Sequence, residues 1–213
     1  PPAHAAEAAL ALLTRLGAID GRRRLTPVGE QLRQLAVHPR LGRVLLETRA
    51  SWRAAAACAL LSERLPSRAG EAATALDCDL FPLIERLPPT QRVAARDLQS
   101  QARRALGAEA PPADESDEGL RRGLYLGYAD RLARRRQPHQ PRLLLASGHG
   151  ARLGRESGVV EAEFLVALDV TGMERSGVSE ALVRLASAVD PAWIEPTAVE
   201  RVHEFDPEAR QVR

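Results

Sequence analysis

The chain has 213 residues, of which 45% are apolar, 27% charged and only 3% aromatic. This is the composition of an ordinary soluble globular protein with a core of Ala, Leu and Val, and the length suits one large domain or two to three small ones. The longest apolar runs fall short of the roughly 18 residues of a transmembrane helix. We therefore expect a cytoplasmic protein with no membrane partner and, because the first residue is Pro1, a fragment of a longer one.

The net charge of +2 hides two basic blocks. Residues 21–50 hold seven arginines and two acidic residues, a balance of +5, and residues 121–155 hold nine and one, a balance of +8. All 30 basic residues are arginines, whose planar guanidinium suits phosphate. The two blocks favour a polyanionic partner. The alternative is that they are solvated faces that balance residues 156–213, which carry −7.

The first 48 residues read as a helix, a basic hairpin and two more helices. Leucines at helical spacing and a capping Gly17 predict a helix over residues 3–17. A glycine turn and a short basic strand follow, and Thr26 then caps a helix that should continue to Val37. This order is typical of a winged helix that lacks its beginning, a module that contacts nucleic acid or protein.

A proline separates the last two of these helices. His38 precedes Pro39, and a residue before proline avoids helical geometry, so the earlier helix should stop there. The next helix should run from about Arg40 to Thr48. We expect His38 to cap or pack rather than to bind a ligand.

Residues 49–122 predict a helical bundle. The stretches SWRAAAACALLSERL, TALDCDLFPLIERL and TQRVAARDLQSQARRAL all favour helix, and PSRAGEA and PP separate them. Cys58 and Cys78 lie in this helical text, and we expect two buried free thiols. Residues 108–118 read as an acidic linker.

Residues 123–213 predict a small β-domain. The segment from Gly119 begins as a helix and ends in an arginine run, after which the pattern changes. The stretches RLLLA (142–146), VVEAEFLVALDV (159–170) and ALVRLASAV (181–189) read as strands, and glycines punctuate them. Short strands and glycine turns after a bundle indicate a small barrel.

The sequence contains no recognisable catalytic or metal-binding motif. A phosphate-binding P-loop needs a lysine, and the chain has none. HExxH and CxxC are absent, and the five histidines lack metal-ligand spacing. Ser147, His149 and Asp169 carry no local sign of a nucleophile. We predict no catalytic site, no metal site and no cofactor in this chain.

Six segments, taken in order, resemble one family. LTPVGEQLRQLAVHPRLGRVLL (25–46) is similar to the LTPLG…HPRLARMLL segment that follows the motor domains of DEAH-box ATP-dependent helicases of the bacterial HrpB type. ALLSERLP, GLYLGYADRLARRR, RLLLASGHGARL, EAEFLVALDVTG and ALVRLASAVDPAWI are similar to later segments of the same family. The chain departs from the family pattern at Ala129, Ser147 and His149.

This resemblance implies a fold of the α+β class, mainly α. It comprises a truncated winged helix (1–48), a helical ratchet-like bundle (49–122) and an incomplete OB-like β-domain (123–213). It also implies that ATP and Mg²⁺ belong to RecA-like motor domains of the same polypeptide, and that this chain helps to guide single-stranded RNA or DNA. The alternative is a platform that docks on the motor domains or on a partner protein and does not touch nucleic acid.

The charge blocks and the resemblance together nominate the contact residues. On the wing these are Arg22, Arg23 and Arg24, and near the β-domain they are Arg131, Arg134, Arg135, Arg136, Arg142 and Arg152. If the run is extended, Arg134 and Arg136 share one face, whereas Arg131 and Arg135 share the other. Tyr125 and Tyr128 are stacking candidates, although packing between bundle and barrel is the favoured reading.

Overall fold

A computed structural model describes residues 3–63, 75–172 and 180–195, together with two short strands at 205–206 and 211–212. The helices are α1 (Ala3–Arg15), α2 (Pro27–Leu32), α3 (Pro39–Glu47), α4 (Trp52–Ser62), α5 (Phe81–Glu85), α6 (Pro89–Leu106) and α7 (Asp117–Gly127). The strands are β1 (Leu132–Arg135), β2 (Arg142–Leu145), β3 (Gly150–Leu153), β4 (Phe164–Thr171), β5 (Ala181–Ala188), β6 (Phe205–Asp206) and β7 (Gln211–Val212). No helix in these ranges is long and apolar enough to cross a membrane.

The N-terminal elements follow the predicted order. Gly17 takes a positive φ of 70° after α1, Thr26 caps α2 by accepting from the Gly29 amide, and His38 caps α3 through its side chain. The structure corrects the length of α2, which ends at Leu32 rather than at Val37. Residues 33–37 form turns instead, and Leu35 among them is buried.

Helix α4 lies at the centre of the helical part. Its residues from Ala54 to Leu60 are all buried, which explains why the segment is so rich in alanine. Helix α6 packs on it through Ala95, Leu98, Ala102 and Ala105. The acidic linker is docked rather than free, because Glu115 accepts from Ser51 Oγ and from the Trp52 amide at the start of α4.

The second predicted bundle helix is wrong in its first half. Residues 77–80 precede α5 and lie against the barrel. The backbone of Cys78 forms an isolated antiparallel β-bridge with that of Ser187. Residue 74, the first of this predicted helix, and the predicted breaker at 66–72 lie outside the described ranges. Cys58 and Cys78 are both buried free thiols, as predicted.

The β-domain is a closed barrel with the strand order β1-β2-β3-β5-β4. All neighbours are antiparallel except β3 and β5, which are parallel. The predicted strands at 142–146 and 181–189 are confirmed as β2 and β5. The strand predicted over 159–170 starts later, at Phe164, and the sequence reading missed β1 and β3, which have four residues each.

Candidate nucleic-acid interface

Four exposed arginines lie on the outer surface of β1, β2 and β3 or directly after β1. Along each strand the side chains alternate, so that Arg134, Arg142 and Arg152 point outward while their neighbours fill the barrel. Arg136 extends the same alternation, and its amide donates to the Arg142 carbonyl at 3.0 Å. We call these four residues, Arg134, Arg136, Arg142 and Arg152, the basic face.

The strand register brings the members of the basic face together. Arg142 and Arg152 are direct cross-strand partners. Arg134 lies opposite Leu144 on β2 and opposite Phe164 on β4. A depression of about 520 Å³ is lined by Arg134, Arg136, Arg142 and Leu144, so these side chains face one common space.

Apolar groups are interleaved with the charges. Leu144 is 42% exposed and Leu182, the β5 partner of Arg152, is 38% exposed. The Arg134 guanidinium lies over the Phe164 ring at 5.8 Å from its centroid. The surface therefore offers both cations and apolar or ring contacts, which suits a flexible polyanion with bases.

Most of this charge is not neutralised within the described part of the chain. Arg134 donates to Glu163 Oε1 at 2.9 Å, in an exposed pair. Arg136, Arg142 and Arg152 form no ion pair with any described carboxylate. These three arginines are therefore available to an external anion, whereas an anion that binds Arg134 would compete with Glu163 for its guanidinium.

Arg135 is placed differently from its neighbours. Its side chain is buried, and its guanidinium donates to the carbonyls of Ala162 (2.9 Å), Val159 (2.6 Å) and Gln140. Burial lowers the pKa of this guanidinium. Arg135 fastens two loops to the barrel, and we leave it out of the contact surface. The predicted opposition of Arg134 and Arg135 across β1 is thus confirmed.

Arg131 also makes its contacts within the protein. It lies in a short 3₁₀ helix, donates to the Leu168 carbonyl at 3.3 Å and stands over the Tyr128 ring at 5.6 Å. Arg40 stands over the same ring at 5.4 Å. Tyr128 is buried, and burial raises its pKa to about 12. Tyr128 therefore packs between bundle and barrel, as the favoured reading predicted.

The wing, residues 19–25, is a tight hairpin closed by the Ile19–Leu25 bridge. Asp20 accepts from the amides of Arg22 and Arg24 and pairs with the Arg24 guanidinium at 2.9 Å. Arg24 is therefore neutralised by the turn it belongs to. Arg22 and Arg23 are exposed and form no ion pair with a described carboxylate. The structure places these wing arginines on an element separate from the basic face.

Two structurally important carboxylates were missed by the sequence reading. Asp79 is 2% exposed and accepts from Ser157 Oγ (2.7 Å), the Gly158 amide (2.8 Å) and the Ala186 amide (2.8 Å). It thereby holds the barrel to the segment that precedes α5. No local motif marks Asp79, because its partners lie more than seventy residues away.

The second is Asp130, which forms an ion pair with Arg40 through both oxygens. Burial opposes ionisation of Asp130, but the Arg40 hydrogen bonds and the charges of Arg40 and Arg131 outweigh it, so the pKa is held below its ordinary value. Arg40 belongs to the HPR stretch and Asp130 to YAD, and both stretches carry the family resemblance. That both stretches resemble the same family does not indicate that Arg40 and Asp130 are in contact, so the sequence reading missed this pair.

Two observations bear on nucleotide and metal binding by this chain. The chain has no lysine to reach a nucleotide phosphate through a P-loop. No cluster of three or more His, Cys, Asp or Glu residues with metal-binding geometry occurs within the described ranges. We derive no chemical step within this chain.

Comparison with known proteins gives one family model and a set of solved structures. The model described as "Helicase associated domain (HA2), winged-helix" matches residues 9–37. No curated protein matches the chain significantly. The chain is similar over 100% of its length to the crystal structure of the E. coli DExH-box NTPase HrpB, with 26% identity and a TM-score of 0.72. A second structure, of the Escherichia coli DEAH/RHA helicase HrpB, matches with 25% identity and a TM-score of 0.66. The chain spans 25% of the length of each.

Proposed function

We propose that this chain, an HrpB-like accessory region of a DEAH-box helicase, binds single-stranded nucleic acid on its basic face and guides it relative to motor domains in the same polypeptide. The observation that carries the proposal is the set of four exposed arginines, three of them on adjacent strands and one, Arg136, directly after β1, of which three have no described acidic partner. Phosphate contact of this kind tolerates any base sequence.

The barrel's architecture supports the proposal. Its closed order β1-β2-β3-β5-β4 agrees with an OB-like domain, and such domains use the face formed by their second and third strands for oligonucleotides. Here Arg142 and Arg152 occupy those two strands as direct partners. Leu144, Leu182 and Phe164 supply apolar surface for bases beside the phosphates.

The internal contacts support a coupling role. Asp79 and the Arg40–Asp130 pair tie the barrel and its entry to the helical part. A single core cluster includes residues from α3, α4, α6 and α7 as well as Val166 and Leu185 of the barrel. A strand held on the barrel would therefore be attached to a domain that packs directly on the helical part.

Charge removal on the basic face tests the binding role. The triple variant Arg136→Gln, Arg142→Gln, Arg152→Gln should bind a labelled 20-nucleotide single strand at least about tenfold more weakly, by fluorescence anisotropy at low salt. The matched control removes three exposed arginines elsewhere, Arg15, Arg86 and Arg122, and should retain most of the affinity. An equal loss in both variants would show that only net charge matters and would overturn the proposal.

A second candidate function rests on the wing. Leu25 is 52% exposed beside the unpaired Arg22 and Arg23, a mixed apolar and basic surface of the kind that docks on protein. In this reading the chain is a platform for the motor domains and does not touch the strand. Leu25→Ser with Arg23→Gln would then weaken association with the motor domains, measured by co-purification, and leave strand binding by the isolated chain unchanged.

A further inference from the structure

A second arginine cluster lines a cleft in the helical part, away from the basic face. The cleft has a volume of about 790 Å³ and lies between the C-terminal half of α6 and the segment 107–113 that follows it. Arg49, Arg96, Arg103 and Arg104 line it, and no acidic residue does. We call this the arginine cleft.

The charges of the cleft are only partly compensated. None of its four arginines forms an ion pair with a described carboxylate, although arginines on the neighbouring helices do, such as Arg43 with Glu47 at 3.3 Å. Asp114 follows the lining segment, and its pKa is lowered by hydrogen bonds from Ser116 and, to a smaller extent, by the charge of Arg49. Arg96, Arg103 and Arg104 have no such partner in the described ranges, and an anion bound in the cleft would reduce their mutual repulsion.

The turn that ends α3 directs Arg49 to the cleft. Arg49 and Ala50 both take positive φ, 54° and 57°. The Arg49 amide donates to Leu46 O at 3.1 Å and the Ala50 amide donates to Leu45 O at 2.8 Å, which is the hydrogen-bond pattern of a left-handed helix cap. Gln99 of α6 donates to Ala50 O at 3.0 Å and holds this turn against α6. The Arg49 side chain thereby reaches the cleft, where Nη1 lies 3.5 Å from Pro112 O.

Helix dipoles favour three of the four arginines but not the fourth. Arg103 and Arg104 lie in the last turn of α6, and Arg49 directly follows the C-terminal cap of α3, so each lies at a helix end where a cation is favourable. Arg96 lies two turns before Arg103 and gains nothing from these dipoles. All four side chains line the cleft.

We propose that the arginine cleft binds a ligand that carries two or more phosphate groups. From Arg96 to Arg103 the helix rises about 10 Å, longer than one phosphate group needs. Guanidinium forks bind phosphate oxygens in pairs. The opposite wall contains Pro111 and Pro112, which have no amide hydrogen, so an acidic peptide would find few backbone partners there. The ligand is either a free polyphosphate or the phosphodiester backbone of a strand, and the inference does not depend on the basic face.

Binding of tripolyphosphate and of a single strand to the 213-residue chain, by calorimetry, tests this inference. Arg96→Gln with Arg103→Gln should weaken tripolyphosphate binding by about tenfold, whereas the matched pair Arg15→Gln with Arg122→Gln should change it by less than about twofold. Loss for tripolyphosphate alone identifies a free polyphosphate as the ligand, and loss for the strand as well identifies its backbone.

Three outcomes would overturn the inference. They are no tripolyphosphate binding by the unaltered chain, an equal loss in the control pair, or tighter binding of a poly-glutamate peptide than of tripolyphosphate. The basic-face variant Arg136→Gln, Arg142→Gln, Arg152→Gln keeps the two proposals distinguishable. It should retain tripolyphosphate binding, so a failure of the basic face as a strand site would leave this result standing.

Discussion

Arg142 and Arg152 stand directly opposite each other on neighbouring antiparallel strands, both exposed. Two like charges in this position destabilise a sheet by some tenths of a kcal/mol, up to about 1 kcal/mol. Neither has a described carboxylate partner that would offset the repulsion. The pair is therefore a cost to the fold, which is the relationship expected where residues serve an external anion.

Replacing one member of this pair should separate stability from binding. In Arg152→Gln the repulsion is gone, so the free energy of unfolding should stay unchanged or rise by up to about 0.5 kcal/mol, as measured by urea denaturation. Strand affinity should fall severalfold in the same protein. Arg122→Gln, on exposed α7 surface, serves as the control and should change neither. A less stable Arg152→Gln with full affinity would assign this arginine to the fold.

Removing the charge of Asp79 should loosen the barrel from the helical part. An asparagine has one acceptor oxygen, and it cannot serve Ser157 Oγ and the amides of Gly158 and Ala186 together. Asp79→Asn should lower the free energy of unfolding by about 3 kcal/mol. The control Asp97→Asn, on the exposed side of α6, should cost less than about 0.5 kcal/mol. Equal urea midpoints for the two variants would refute the anchoring role.

The Arg40–Asp130 pair should make the fold acid-sensitive. The pKa of Asp130 in the folded chain lies below its ordinary value of 3.8. The ionised carboxylate therefore stabilises the fold above the unfolded pKa, and this contribution disappears as the pH falls through the folded pKa. Between about pH 5 and pH 3 the unaltered chain should lose stability more steeply than Asp130→Asn. Parallel stability curves for the two proteins would contradict the assignment.

Gly29, in the LTPVG stretch, should not tolerate a side chain. A Cβ there would lie 2.0 Å from the carbonyl oxygen of Ala18, which is backbone and cannot rotate away. Gly29→Ala should destabilise the chain by about 1–3 kcal/mol, through separation of α2 from the wing. Gly21→Ala is the matched control, because no atom lies within 4 Å of its Cβ position. Thermal midpoints of both variants would give the comparison, and equal midpoints would exclude close packing as the reason for the glycine.

The sequence correctly predicted those parts of the fold that depend only on neighbouring residues in the chain. Thr26 and Pro39 set helix starts because capping and proline geometry depend on adjacent residues. The prediction failed at Cys78, because helix propensity there gave way to pairing with Ser187 on a distant strand. Strands β1 (LARR) and β3 (GARL) were missed because each has only two apolar residues in a charged or glycine-rich context, whereas the equally short β2 (RLLL) was predicted from three consecutive leucines.

The candidate site was predicted in part for the same reason. Alternation along an extended run correctly opposed Arg134 and Arg135, and the burial pattern bears this out. The sequence could not show that Arg135 donates to three loop carbonyl groups, because this depends on how the loops fold back on the barrel. It could not show that Arg142 lies opposite Arg152 either, because this depends on strand register. The density of arginines indicated the basic block at residues 121–155, but only the fold shows which of these arginines face outward.

The salt dependence of strand binding tests the central claim most directly. The logarithm of the association constant for a labelled single strand should fall linearly with the logarithm of salt concentration, because each phosphate contact releases counterions. The variant Arg136→Gln, Arg142→Gln, Arg152→Gln should have a slope smaller in magnitude by about two, at about 0.7 per lost contact. Identical slopes for the variant and the unaltered chain would contradict the account.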